Sequence, residues 1–148
     1  MKIHRLQFSI VIKSDSKNIW ATLWDHNSYK KWAAIFYKGS YVNADKWEEG
    51  CKVYFLAPDK SGIYSIIEKH IPNNIIEFKH IGSILNGKEQ AIDKETKKWS
   101  GSTEIYALTK EKKGIKLAIE IDVLDAHLEF MSKKLPLALK KIKSLSER

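Results

Sequence analysis

Cysteine is nearly absent from this chain. Cys51 is the only one, so no internal disulfide can form, and no second cysteine or nearby histidine gives it a zinc spacing. It reads as a small hydrophobic residue rather than a nucleophile. Long apolar runs are also missing. From Met1 to Lys13 apolar and polar residues alternate, with neither the continuous stretch of a secretory signal nor the length of a membrane span. This start predicts a mature cytoplasmic protein with no integral membrane association. There is no phosphate-cradling Gly-rich loop, no nucleophile elbow and no helical zinc pair, and the five histidines are scattered. No metal site and no cofactor are therefore expected.

What is present fits one domain spanning residues 1–148, long enough to build a substantial core. Apolar residues make up 43% and charged residues 30%, which places the chain among globular proteins, and five Trp, six Tyr and five Phe predict an aromatic interior. Lys and Arg number 26 against 18 Asp and Glu, a net charge of +8 that could draw nucleic acid or anionic lipid. The basic residues come in ones and twos, however, as at Lys30-Lys31, Lys112-Lys113 and Lys140-Lys141. That scatter describes a solvated surface, so no nucleic-acid partner is expected.

Leu6, Phe8, Ile10 and Ile12 recur at the period of a half-buried strand. Ser14, Asp15 and Ser16 can cap a helix whose stripe is Ile19, Trp20, Leu23 and Trp24. Asn27 and Ser28 offer a second cap, before Tyr29, Trp32, Ala33 and Phe36 at helical spacing, and Gly39 ends that helix. Strands are expected at Ser40 to Asn43, Cys51 to Leu56, Gly62 to His70 and Ile75 to Ile84, divided by turns such as Pro72-Asn73-Asn74. Leu85 to Lys98 is polar, holds Asn86-Gly87 and lacks a clear period, which predicts a long loop. Two more strands follow, Trp99 to Thr109 and Ile115 to Val123. Leu124, Leu128, Met131, Leu135, Leu139, Ile142 and Leu145 then trace a long amphipathic helix, in which Pro136 predicts a kink or a junction of two helices.

This order gives an α+β fold, with an antiparallel sheet of about six to seven strands covered by one long C-terminal helix. A curved sheet on a straight helix leaves space where the two short helices sit, and an apolar pocket there is the expected ligand site. Trp32, Phe36, Tyr41, Phe55, Phe78, Trp99, Tyr106 and Phe130 are its candidate walls. The alternative is that these rings fill a solid core.

Three stretches carry a resemblance: FSIVIKSDSKNIWATLWDHNSYKKWAAIF, SGIYSIIEKHIPNNIIEFKHIG and KKWSGSTEIYALTKEKKGIKLAIEID, followed by the closing helix. Their most telling parts are Ile19-Trp20 with Trp24-Asp25 and Trp32, and the pattern from Trp99 through Gly101 to Tyr106 and Leu108. Over nearly its whole length the chain resembles the START and Bet v allergen-like (SRPBCC) superfamily, above all its bacterial branch similar to the activator of heat-shock-chaperone ATPase. The resemblance implies a helix-grip fold with a cavity for lipids, sterols, polyketides or other apolar molecules. Members of that branch often carry Pro just before the first helix, where this chain has Asp15, and an acid there also suits a first helical turn.

With Tyr106 and Leu108 facing the cavity, as the resemblance suggests, a period of two turns Glu104 and Ser102 inward. Ile76 and Phe78 likewise bring His80, on a strand expected to neighbour that of Glu104. The two could serve as base and acid, or satisfy each other as an inert buried pair, or lie half exposed near the sheet end. His127 is a candidate for the cavity rim. The leading expectation is a binding module for a small apolar molecule, with His80 and Glu104 orienting it and Leu85 to Lys98 gating entry. A cyclase, dehydratase or hydrolase using His80 and Glu104 is the second, and a chaperone ATPase-activating adaptor is the third.

Overall fold

The computed structural model describes residues 2–148; Met1, the first residue of the expected domain, lies outside them. The chain runs β1 (Ile3–Ile12), α1 (Ser16–Trp24), α2 (His26–Ala33), β2 (Tyr41–Ala44), β3 (Lys52–Leu56), β4 (Gly62–Ile71), β5 (Ile75–Leu85), β6 (Lys88–Glu89), α3 (Lys94–Lys97), β7 (Thr103–Glu111), β8 (Gly114–Leu124) and α4 (Leu128–Ser146). The strands form one antiparallel sheet in the order β1-β8-β7-β5-β4-β3-β2, with the short β6 paired to β5. The α+β helix-grip architecture is therefore present, with two short helices after the first strand and the long helix last.

Alternation sets which face of each strand is buried. In β8, Leu117, Ile119, Ile121 and Val123 are buried, and the residues between them are half exposed. β1 pairs with β8 from Ile3↔Leu124 to Ile12↔Ile115. On α4, Leu135, Ala138, Leu139 and Ile142 form the buried stripe and meet Ile12, Ile19, Leu23 and Leu117 in the core. Each fully buried Leu or Ile there contributes about 1.5–3 kcal/mol. The end of α4 is tied down by Lys143 Nζ, which donates to the Val11 carbonyl at 3.0 Å, and by Asn18 Nδ2, which donates to the Ser146 carbonyl at 2.6 Å.

Several boundaries differ from expectation, each for a local reason. Asp15 does cap α1, accepting from the Asn18 N–H at 2.7 Å. The second helix begins earlier than Asn27 and Ser28 suggest, at His26, because the Ser28 hydroxyl bonds back to the Ala21 carbonyl at 3.0 Å instead of capping. Phe36 lies beyond α2, in a turn where its N–H donates to the Ala33 carbonyl at 3.0 Å. The stretch Leu85 to Lys98 is not a plain loop. Asn86 and Gly87, with φ of 56° and 78°, make a two-residue hairpin into β6, and the Asp93 side chain caps α3. Trp99 is not in a strand either. Residues 99–101 form a turn with Gly101 at φ 92°, and β7 starts only at Thr103. Finally, α4 runs through Pro136 as one helix. The bond lost is that of the Ser132 carbonyl, and Ser132 is partly exposed, so water can replace the missing donor.

Candidate functional site

A cavity of about 500 Å³ opens between the sheet, α2 and the start of α4. Its walls include Trp32, Phe36, Phe55, His80, Trp99, Glu104 and Tyr106, together with Tyr29, Met131, Leu135 and His127. Three expected wall residues are elsewhere. Phe78 is fully buried and packs edge-on against Phe55 at 5.1 Å and Trp24 at 5.3 Å, so it belongs to the solid core behind the cavity. Tyr41 joins a small separate cluster with Leu56, Tyr64 and Ile84, because Val42 takes the core side of β2 and alternation turns its neighbour away. Phe130 is 46% exposed, with Lys134 Nζ 5.8 Å from its ring centre. Leu128, Met131 and Leu135 face inward on α4, and Phe130 stands about 200° around the helix from Leu128. The expected wall residues thus divide among the cavity wall, the buried clusters and the surface.

Polar groups converge on one wall. Strand β5 pairs with β7 in the register Ile76↔Tyr106 and Phe78↔Glu104, and the pairing continues as the His80 N–H donates to the Ser102 carbonyl at 2.8 Å. This register sets His80 Nε2 3.2 Å from Glu104 Oε1, as parity suggested. The other Glu104 oxygen accepts from the Tyr106 hydroxyl. On the far side of the ring, His80 Nδ1 lies 2.6 Å from the hydroxyl of Ser65, which is fully buried. Ser65, His80, Glu104 and Tyr106 therefore form one hydrogen-bonded chain across three strands.

Glu104 is acceptor-only when ionised, so it takes an N–H from His80 and an O–H from Tyr106. Burial, and then the negative charge of Glu104, push the Tyr106 hydroxyl well above the ordinary tyrosine range; the same causes raise Tyr29. Both phenols thus remain donors. Asp122 also reaches the cavity wall. Burial alone would raise its pKa, but hydrogen bonds from Arg5 at 2.8 Å and from the Thr103 N–H at 2.9 Å outweigh this and hold it low. Among the described residues no group of three or more His, Cys, Asp or Glu could hold a metal ion, and no helix is long and apolar enough to cross a membrane. Cys51 is half-buried and away from the cavity wall.

Sequence reasoning missed Ser65 and Tyr29. Tyr29 was legible on the apolar stripe of α2, beside Trp32. Ser65 was not: an unbroken hairpin from Ile71↔Ile75 would pair His80 with Ile66, and an irregularity between Ile67 and Lys69 moves the partner to Ser65.

No family model and no curated protein matches the sequence. Solved structures do match the fold. A Mesorhizobium loti protein superposes with a TM-score of 0.71 at 14% identity, covering 96% of each chain. The Aha1 dimer protein of Colwellia psychrerythraea gives a TM-score of 0.65 at 16% identity over 97% of this chain and 96% of that one. An AHSA1-like protein of Aeromonas hydrophila gives 0.65 at 12% identity over 97% and 92%. At these identities the likeness speaks for architecture and not for activity. The chain shares with these proteins one fold, an antiparallel sheet closed by a long C-terminal helix.

Proposed function

We propose that the protein binds a small hydrophobic or amphipathic molecule in the cavity between its sheet and α4, and that it does so in the cytoplasm. The observation that carries this reading is an aromatic-walled space of about 500 Å³ with the His80 and Glu104 pair on one wall. Pockets of this size, mostly apolar with a few convergent polar groups, are the usual form of a small-molecule site. Trp32, Phe36, Phe55, Trp99 and Tyr106 supply contact area, and His80 and Glu104 fix orientation. The hairpin and helical turn from Leu85 to Lys98 gate entry, because they lead directly into the Trp99 turn at the cavity wall. Native mass spectrometry of protein purified from its own cells tests the reading. A bound species of lipid-like mass is expected, and Ala33→Trp, which fills the cavity, should expel it. Repeated absence of any such species, with no thermal shift across an apolar ligand panel, overturns it.

A catalytic reading is favoured by one observation, the continuous chain from Ser65 through His80 to Glu104 and Tyr106. Such a chain can hold His80 and Glu104 as a base and acid pair. The molecules recovered from wild type and from Glu104→Gln separate the two readings. A carrier returns the same compound from both, whereas an enzyme returns product from the first and substrate from the second. A chaperone partner rests on fold likeness alone, which does not carry function.

A further inference from the structure

The charge of the cavity runs against that of the chain. The protein carries +8 overall, yet among the described residues no Lys or Arg lines the cavity, while the acidic residues Glu104 and Asp122 do. Asp122 is already matched by Arg5 at 2.8 Å. Among the described residues Glu104 has no Lys or Arg partner; its contacts there are the His80 ring and the Tyr106 hydroxyl, one on each oxygen. A carboxylate oxygen can accept more than one hydrogen bond, so Glu104 keeps acceptor capacity toward the cavity. Around it stand Tyr29, Trp32 and Tyr106, with ring centres 4.9 Å apart for the first two and 6.3 Å apart for the last two. Aromatic faces attract a cation, and a carboxylate in a partly desolvated site attracts it further and repels an anion.

We propose that the cavity selects an apolar molecule bearing a protonated amino group, seated at Glu104 against these rings, and that it discriminates against fatty acids and phosphorylated lipids. The proposal rests on the cavity-binding reading above and adds the chemical class of the ligand. Surface attraction cannot imitate this preference, because a basic surface draws anions and repels amines.

Isothermal titration calorimetry with three probes of matched shape, naphthylmethylamine, naphthylmethanol and naphthoate, tests the assignment. The expected order is amine, then alcohol, then naphthoate, with the amine about tenfold tighter than the naphthoate. Glu104→Gln should bring the amine down to the level of the alcohol while alcohol binding persists, which also shows that the variant is folded. Naphthoate binding as tightly as the amine overturns the proposal, and so does an amine preference that survives in Glu104→Gln. The wild-type order stands as a test whether or not the variant folds. Alcohol binding without an amine preference overturns the amine assignment and leaves the cavity reading in place; no binding of any probe overturns both.

Discussion

Ser65 and His80 face one another on β4 and β5, the serine hydroxyl 2.6 Å from Nδ1, and Glu104 on the other side of the ring sets which nitrogen carries the proton. When ionised, Glu104 can only accept, so a neutral ring beside it donates from Nε2 and takes the Ser65 O–H at Nδ1. Nitrogen-detected NMR of the His80 ring should show the Nε2–H tautomer. Ser65→Ala leaves Nδ1 without its buried partner and should lower stability by about 1–2 kcal/mol in urea unfolding. No measurable loss would mean that the contact is not made in solution.

Alkaline stability follows from the two buried phenols. Tyr29 and Tyr106 have folded pKa values raised above the ordinary value of 10.0, burial being the first cause in both. Their stabilising contribution is full below about pH 10 and declines as pH rises toward the folded values, because the unfolded chain releases protons that the native state retains. Unfolding free energy should therefore fall above about pH 10, and Tyr106→Phe should make that fall shallower. Parallel slopes in the two proteins would contradict this account.

Arg5 contributes to acid stability by donating to Asp122 and to Glu120 at 2.8 Å each. The folded pKa of Asp122 lies below its ordinary value of 3.8, so its contribution is present above that pH and is lost as pH falls through the folded value. Arg5 is substantially exposed, and solvent screening keeps the effect small. Arg5→Met should cost less than about 1 kcal/mol at neutral pH, and the gap between variant and wild type should close below about pH 4. Chemical denaturation at a series of pH values reads both quantities.

Two glycines without unusual φ separate backbone crowding from side-chain crowding. A Cβ at Gly62 would sit 1.8 Å from the Phe55 carbonyl oxygen, so accommodating it requires β3 and β4 to part. At Gly82 the nearest atom belongs to the Tyr64 ring, 2.6 Å away, and a ring can turn aside. Gly62→Ala should cost about 3 kcal/mol and Gly82→Ala about 1 kcal/mol. Equal melting temperatures for the two variants would refute the distinction.

Much of the site could be read from the sequence because it depends on parity. Tyr106, Glu104 and Ser102 share a face of the chain entering β7, His80 shares one with Phe78 and Ile76, and the β5–β7 register brings the two sets together. Parity holds only while strands are unbroken. It fails at the β4 irregularity that brings Ser65 under His80, and it has no meaning at Trp99, which reaches the cavity from a turn. For Phe130 the apolar character was plain, but the three-and-four spacing of Leu128, Met131 and Leu135 excluded it from the inward stripe. Composition alone does not assign an aromatic ring to a face.

The pairing of β1 with β8 has a consequence for how the protein is made. Ile3 meets Leu124, a partner 121 positions later in the chain, and among the described residues β1 has no other strand beside it. On a ribosome the first strand must wait, unpaired, until nearly all of the chain has emerged. Arg5, Gln7 and Ser9, at alternate positions, keep one face of that waiting segment polar. Such distant closure makes for slow folding.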